Sequence, residues 1–358
     1  MAEKTYYEEQ NSKGLKHLRG LIETLPPFVS DFFRSLGQKN TSVRTRINYA
    51  YDLRLFFQYL IDNHPEICDK KMDTITVEDL DKVLPSDIDL FLEYISFYQK
   101  ERPESEDTYL EVHNGEKGRA RKLAAIRSMY KYYVKIQNIK TNPAALVDTP
   151  KIHDKEIIRL NPNETADLLD EVESGQDLTE RQKKFHEKTK KRDLAIVTLL
   201  VGTGMRVSEC VGIDIDDIDF NVNGVKVTRK GGNEAVLYFG SEVRGALLDY
   251  MEERKNIDAL KGNENALFLS SQKKRITTRS VQLLVKKYSQ VSVKLKKITP
   301  HKLRSTYGTT LYNESGDIYL VADVLGHADV NTTKKHYARM DESRRAKAAK
   351  FIKLRKED

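Results

Sequence analysis

The sequence predicts a mainly α-helical protein in two parts: an all-α first domain and a mixed α/β second domain with a small β-hairpin or sheet. Three observations lead there. Apolar residues recur at helical spacing along much of the chain. One strand, glycine turn, strand pattern falls in the second part. The length, 358 residues, exceeds what one hydrophobic core usually holds.

In the first part, Tyr49, Leu53, Phe56, Phe57 and Leu60 fall at helical spacing behind a cap at Thr41 or Ser42. Ile88, Phe91, Leu92 and Ile95 mark a second helix, and Leu123, Ile126, Tyr130, Tyr133 and Val134 a third. Arg102 to Gly118 is polar and acidic and reads as a mobile loop. Off the apolar stripe of the third helix stand Arg121, Lys122, Arg127, Lys131 and Lys135, which could meet phosphates or simply form a solvated basic face. Asn142-Pro143, Thr149-Pro150 and Asn161-Pro162 then combine turn formers with few large apolar residues, as an inter-domain linker does.

The second part opens on Asn161-Pro162-Asn163-Glu164, in which Asn caps, Pro suits the first helical position and Glu lies three residues after the cap. A helix through Val172 follows. Residues 174–192 are strongly polar and are expected to form an exposed insertion or a helix extension before the buried run Leu194 to Leu200. Val225, Val227 and Val236 flank Lys230-Gly231-Gly232-Asn233 as a β-hairpin. Val243 to Met251, Ser280 to Val291, Lys302 to Tyr312 and Ile318 to Leu325 read as helices, and no repeat of fixed period is visible.

Composition narrows the function classes. With 39% hydrophobic and 32% charged residues the chain can fill cores, which sets aside collagenous and largely disordered proteins. The net charge of +7 is unevenly held: residues 1–150 carry 22 Lys+Arg against 23 Asp+Glu, so residues 151–358 hold a net +8. The balance permits an acidic partner such as nucleic acid without demanding one, and the basic excess lies in the second part. Cys68 and Cys210 cannot make a disulfide framework or a multi-cysteine zinc site, which fits a reducing cytoplasm. Met1 to Gly14 lacks an apolar signal core, and Leu194 to Val201 is too short to span a bilayer, so neither export nor a membrane is expected.

Four short pieces of the second part carry chemistry: Thr203-Gly204-Met205-Arg206-Val207-Ser208-Glu209, the hairpin Arg229-Lys230-Gly231-Gly232, His301-Lys302-Leu303-Arg304, and Leu325-Gly326-His327 followed ten residues later by Tyr337. Each is common alone. In this order, over roughly 130 residues, the set resembles the tyrosine site-specific recombinases, the phage-integrase family. Ser42 to Leu60 and Arg121 to Val134 look like the first and last helices of that family's core-binding domain. The polar segment 174–192 and the Thr228-Arg229-Lys230-Gly231-Gly232 wording resemble the Xer proteins that act as a single recombinase, the XerS type.

The resemblance implies an N-terminal extension (1–24), a SAM-like core-binding domain on DNA (25–145), a linker (146–160), a catalytic domain (161–340) and a C-terminal helix or tail (341–358). It also implies cleavage and rejoining of DNA through a 3′-phosphotyrosine, without metal, ATP or other cofactor. Tyr337 would be the nucleophile and Lys230, on a hairpin able to reach the minor groove, the general acid. Arg206 and Arg304 would neutralise the nonbridging oxygens. His301 and His327 would donate hydrogen bonds to the phosphate or assist proton transfer to and from Tyr337, and Glu209 would orient the cations. Arg44, Arg46, Arg121, Lys122, Arg127 and Lys131 become candidate DNA contacts.

Each residue has a plainer reading. Most tyrosines pack, His301 could cap a helix, His327 could be a core histidine, Lys230 a solvated turn lysine, and Arg206 and Arg304 ion-pair partners of Glu209 or Asp193. Two departures from the family's pattern stand out: Ser305 follows Arg304 where many members have His, and His336 precedes Tyr337. The segment 341–358 is expected either to dock on a neighbouring protomer or to stay unstructured.

The expected function is a cytoplasmic homotetramer that recombines two double-stranded DNA sites through a Holliday junction. Its role would be resolving chromosome dimers at a dif-like site, with a septal DNA translocase as partner. The alternatives are an integrase or excisionase of a mobile element and a cleavage-inactive DNA-binding accessory protein. A type IB topoisomerase would share the phosphotyrosine step.

Overall fold

The computed structural model describes residues 5–101, 109–153, 158–229, 231–326 and 330. The chain divides into two compact units, Met1–Lys155 and Glu156–Asp358. Lys230, His327, His336, Tyr337 and the segment 341–358 lie outside the described residues.

In the first unit, α1 (Tyr6–Ile22) starts at Thr5, whose Oγ1 accepts from the Glu8 amide at 3.3 Å while the Glu8 carboxylate accepts from the Thr5 amide at 2.9 Å. Its Leu18 and Leu21 are buried in the same core as the helices that follow, so the expected N-terminal extension is an integral helix. The next helix, α2 (Val29–Gln38), buries Val29, Phe32, Phe33 and Leu36, a full i, i+3, i+4, i+7 stripe. Ser42 caps α3 (Val43–Asn63), which buries Leu53, Phe56, Phe57 and Leu60. After α4 (Pro85–Tyr94), strands β1 (Phe97–Glu101) and β2 (Tyr109–His113) pair antiparallel, with Phe97 opposite His113.

This hairpin corrects the all-α expectation for the first domain and the loop expected over Arg102 to Gly118, of which 102–108 are not described. Phe97 and Leu110 are both exposed, and among the described side chains of the ribbon only the paired Tyr98 and Val112 are half-buried, too short a stripe to impose apolar alternation on the sequence. α5 (Glu116–Lys135) returns through the core on Leu123, Ile126, Met129, Tyr130 and Tyr133. α6 (Pro143–Leu146) falls where the sequence suggested a linker, yet Ala144 and Val147 belong to the first unit's core.

The second unit begins with α7 (Pro162–Ser174), whose capping box pairs Asn161 and Glu164 as expected, each side chain accepting from the other's amide at 2.8 Å. Residues 174–192 are more than an exposed insertion. They contain α8 (Glu180–His186), which is anchored by a 1% exposed His186 that bonds the Val172 carbonyl at 2.9 Å and packs edge-on to Tyr288. The apolar run lies in α9 (Lys190–Thr203). There Ala195, Ile196, Val197, Leu199 and Leu200 are all buried because helices flank α9 on several sides.

After α10 (Val207–Gly212), strands β3 (Ile218–Asp219), β4 (Gly224–Thr228) and β5 (Glu234–Tyr238) form an antiparallel sheet in that order. Val225 and Val227 face the core, whereas Val236 is 50% exposed opposite Lys226, so the hairpin has one dry face. α11 (Ser241–Arg254), α12 (Thr278–Ser292), α13 (Pro300–Ser315) and α14 (Ile318–Leu325) complete the unit; α7, α11, α12 and α13 contact α9 and α14 packs on α13.

Candidate active site

α9 ends at Gly204 in the left-handed conformation, φ +63°. A Cβ there would lie 2.3 Å from Tyr307 Cδ1 and 3.0 Å from Leu325 Cδ2, so glycine is required by conformation and by space. The turn delivers Arg206 as the residue preceding α10. Its amide donates to Glu209 Oε2 at 2.7 Å and its Nη1 to Glu209 Oε1 at 2.8 Å. Glu209 is 5% exposed and fixes Arg206 at two points. Of the two acids considered as partners, Arg206 takes Glu209. Asp193, near the start of α9, is bonded by Thr189, Arg192, Lys287 and Tyr288 instead.

Arg304, on the face of α13 that His301 shares at i, i+3, is 4% exposed. It donates from Nη1 to the Gly204 carbonyl at 2.8 Å and from Nη2 to the Leu325 carbonyl. Arg206 Nη2 donates to the next carbonyl, that of Gly326, at 3.3 Å. The hairpin supplies a third cation: Arg229 donates from Nη2 to the Val324 carbonyl at 2.9 Å and from Nη1 to the Asp323 carbonyl at 3.4 Å. The four successive carbonyls from Asp323 to Gly326, at the carboxyl end of α14, thus each accept from an arginine, and that of Asp323 also accepts from the Gly326 amide at 2.8 Å. Three guanidiniums from three separate segments converge on one turn, immediately before His327.

His301 is exposed in the first turn of α13. Ser305, the departure from the family's pattern, is buried and donates to the His301 carbonyl at 3.0 Å. Two other groups in the neighbourhood are poor nucleophiles. Burial, helped by Glu209, pushes the Cys210 thiol up to about 12, and burial also raises the Tyr307 phenol above its usual value.

The basic residues of the first unit separate into two kinds. Arg44, Lys131 and Lys135 are exposed and Arg46 is half-buried. Arg121 is part-exposed and pairs with Asp52. Contrary to the expectation of an open basic face, Lys122 is 6% exposed and donates to Asn114 Oδ1 at 2.8 Å. Arg127 is tied to the Ala144 and Val147 carbonyls and to Thr149 Oγ1, so it holds α6 and the residues after it to α5. Helical spacing placed both off the main stripe but could not show that α6 packs on α5 or that Asn114 takes up the Lys122 ammonium. Arg229 carried no expected role; its one visible signal is that it directly precedes Lys230.

No helix among the described residues is long and apolar enough to cross a membrane, and no group of three His, Cys, Asp or Glu is arranged to hold a metal ion.

Residues 159–344 match the model of the phage integrase family. The chain is 34% identical over 325 residues to the tyrosine recombinase XerC of Caldanaerobacter subterraneus subsp. tengcongensis, covering 89% of this chain and 84% of the relative. It is 31% identical over 344 residues to the tyrosine recombinase XerS of Streptococcus agalactiae, covering 89% and 93%. Among solved structures, the XerH site-specific recombinase bound to its difH substrate in a pre-cleavage complex aligns over 87% of this chain and 80% of that one, with a TM-score of 0.59 at 18% identity.

Proposed function

The chain belongs to the phage integrase family and is a tyrosine recombinase of the Xer type, which cleaves and rejoins DNA strands, and from that premise we propose a dif-like chromosomal site as its substrate and chromosome-dimer resolution as its role. The support is the likeness to a XerS protein over 89% of this chain and 93% of that relative, and the likeness in fold to a recombinase bound at difH. Two sites of two half-sites each present four scissile phosphates, so a tetramer on two double-stranded DNA sites supplies one active centre per phosphate. Cytoplasmic location and a septal DNA translocase as partner belong to the same proposal.

Tyr337 attacks the scissile phosphorus through its hydroxyl oxygen and forms a 3′-phosphotyrosine bond as the bond to the 5′-oxygen breaks. The phenolic proton passes to His301 or His327, and Lys230 gives a proton to the departing 5′-oxygen. Arg206 and Arg304 stabilise the charge that develops on the nonbridging oxygens, and Glu209 holds Arg206 in place. Attack by the 5′-hydroxyl of the partner strand reverses these bonds, so one phosphodiester is exchanged for another and no nucleotide is consumed. The observation that carries this reading is the meeting of Arg206 and Arg304 on the adjacent carbonyls of Leu325 and Gly326, beside His327 in the chain.

Incubation with a nicked suicide substrate carrying a dif-like site tests it. A covalent protein–DNA adduct is expected with the parent chain and none with Tyr337→Phe; an adduct that persists in the variant removes Tyr337 as nucleophile. The purified chain acting alone should convert a two-site plasmid to two circles. Conversion that requires a second recombinase points instead to a paired system.

A further inference from the structure

Arg229 lies in the loop between β4 and β5, one residue before Lys230, and its backbone closes that loop. Its amide donates to the Asn233 carbonyl at 2.7 Å and its carbonyl accepts from the Gly232 amide at 3.0 Å. Its side chain leaves the hairpin altogether. The guanidinium forks over the carbonyls of Asp323 and Val324 and lies against Gly326, where an added Cβ would come within 2.4 Å of Nη1, 2.6 Å of Cζ and 2.9 Å of Nε. Gly326 has φ +60°, so glycine serves there both the helix end and the room for the guanidinium.

The hairpin tip is otherwise exposed at residues 231–234. A lysine on a free two-stranded projection would sample many positions, and each ångström of misplacement of a reacting group is costly in rate. Arg229 removes that freedom next to the lysine, and it anchors the loop to the turn that also holds Arg206 and Arg304. We propose that Arg229 is a positioning residue that ties the Lys230 loop to the carboxyl end of α14, so that loop and turn move as one body. This rests on the reading of Lys230 as general acid. Both terminal nitrogens of Arg229 donate to backbone carbonyls of α14, which is the contact the tie requires. A lysine at 229 would offer a point charge in place of the fork and hold the loop less well.

The test compares suicide substrates whose 5′ leaving atom is oxygen or sulfur, the latter needing no general acid, together with hydrogen exchange on the full chain. Arg229→Ala is expected to slow cleavage of the oxygen substrate by about 10- to 100-fold, with most of the loss restored by sulfur and site affinity within about twofold. Arg229→Lys should fall between it and the parent. Hydrogen-exchange protection should drop in both 229–233 and 323–327 for Arg229→Ala, and in neither for Lys230→Ala. Gly326→Ala, which displaces the guanidinium from the other side, should reproduce the sulfur-rescued defect even if Arg229→Ala folds poorly. Parental cleavage by Arg229→Ala, or a loss that sulfur leaves untouched while Lys230→Ala is rescued, overturns the proposal. If sulfur fails to rescue Lys230→Ala, the general-acid reading falls on its own account. The tie is then decided by exchange, with joint loss of protection supporting it and unchanged protection overturning it.

Discussion

Arg304 donates from Nη1 to the carbonyl oxygen of Gly204 at 2.8 Å, and this bond joins the end of α9 to α13. With its second bond, to Leu325, Arg304 fastens the ends of α9 and α14 together. The residue read as a phosphate ligand is therefore also a structural clamp, held rigid before any DNA arrives. A guanidinium fixed in this way needs no reordering when charge develops on a bound phosphate.

Gly204→Ala should damage the site without touching a charged group. The new Cβ meets the Tyr307 ring and forces a left-handed conformation on a residue that resists it. A loss of about 1–3 kcal/mol in unfolding free energy is expected. Thermal and denaturant unfolding measure it, and an unchanged midpoint would show that Tyr307 moves aside freely.

Glu209→Gln should lower the cleavage rate by about tenfold or more while site affinity changes little, because Arg206 keeps its charge and loses the carboxylate that accepts from both its backbone amide and its guanidinium. Single-turnover cleavage and a gel-shift titration separate the two effects. Weaker binding with unaltered chemistry would instead make Glu209 a determinant of DNA affinity.

Lys131→Gln and Lys122→Met should part company. The exposed Lys131 is expected to contact phosphate, so its loss weakens binding and reduces the salt slope by about one. The buried Lys122 should leave the slope unchanged and cost stability, since its Asn114 partner loses a donor. Binding measured across salt concentrations, alongside thermal unfolding, decides both.

Burial pushes the Asp52 carboxyl up to about 6 from an ordinary 3.8, even though Arg121 and Lys122 pull it down. The folded state therefore holds this proton more tightly than the unfolded state between those values. Asp52's contribution to stability is fully present below about 3.8 and declines as pH rises through about 6. In unfolding measured from pH 4 to 7, Asp52→Asn should show a flatter profile than the parent; parallel profiles would exclude this carboxyl as the source.

The local signals in the sequence were those that depend on near neighbours. The capping box at Asn161 and Glu164, the stripes of α3 and α5, the β4–β5 turn and the helix Ile318–Leu325 each follow from spacing and turn chemistry within a few residues. The ordered set Arg206, Lys230, His301, Arg304, His327 and Tyr337 was legible for the same reason, since residue types at given intervals are written in the chain. Burial of Lys122, capture of Arg127 by α6, docking of His186 on Tyr288 and the exposed β1–β2 ribbon were not. Each depends on which distant segment covers a given face, and a period of 3.6 or 2 carries no record of that.

The arginine cluster draws the same boundary most sharply. That Arg206, Arg229 and Arg304 are cations could be read residue by residue, and so could their order along the chain. That they meet on the four carbonyls from Asp323 to Gly326 required α9, α13, α14 and the hairpin to pack, because hydrogen bonds across intervals of 21 to 120 residues exist after the core has closed.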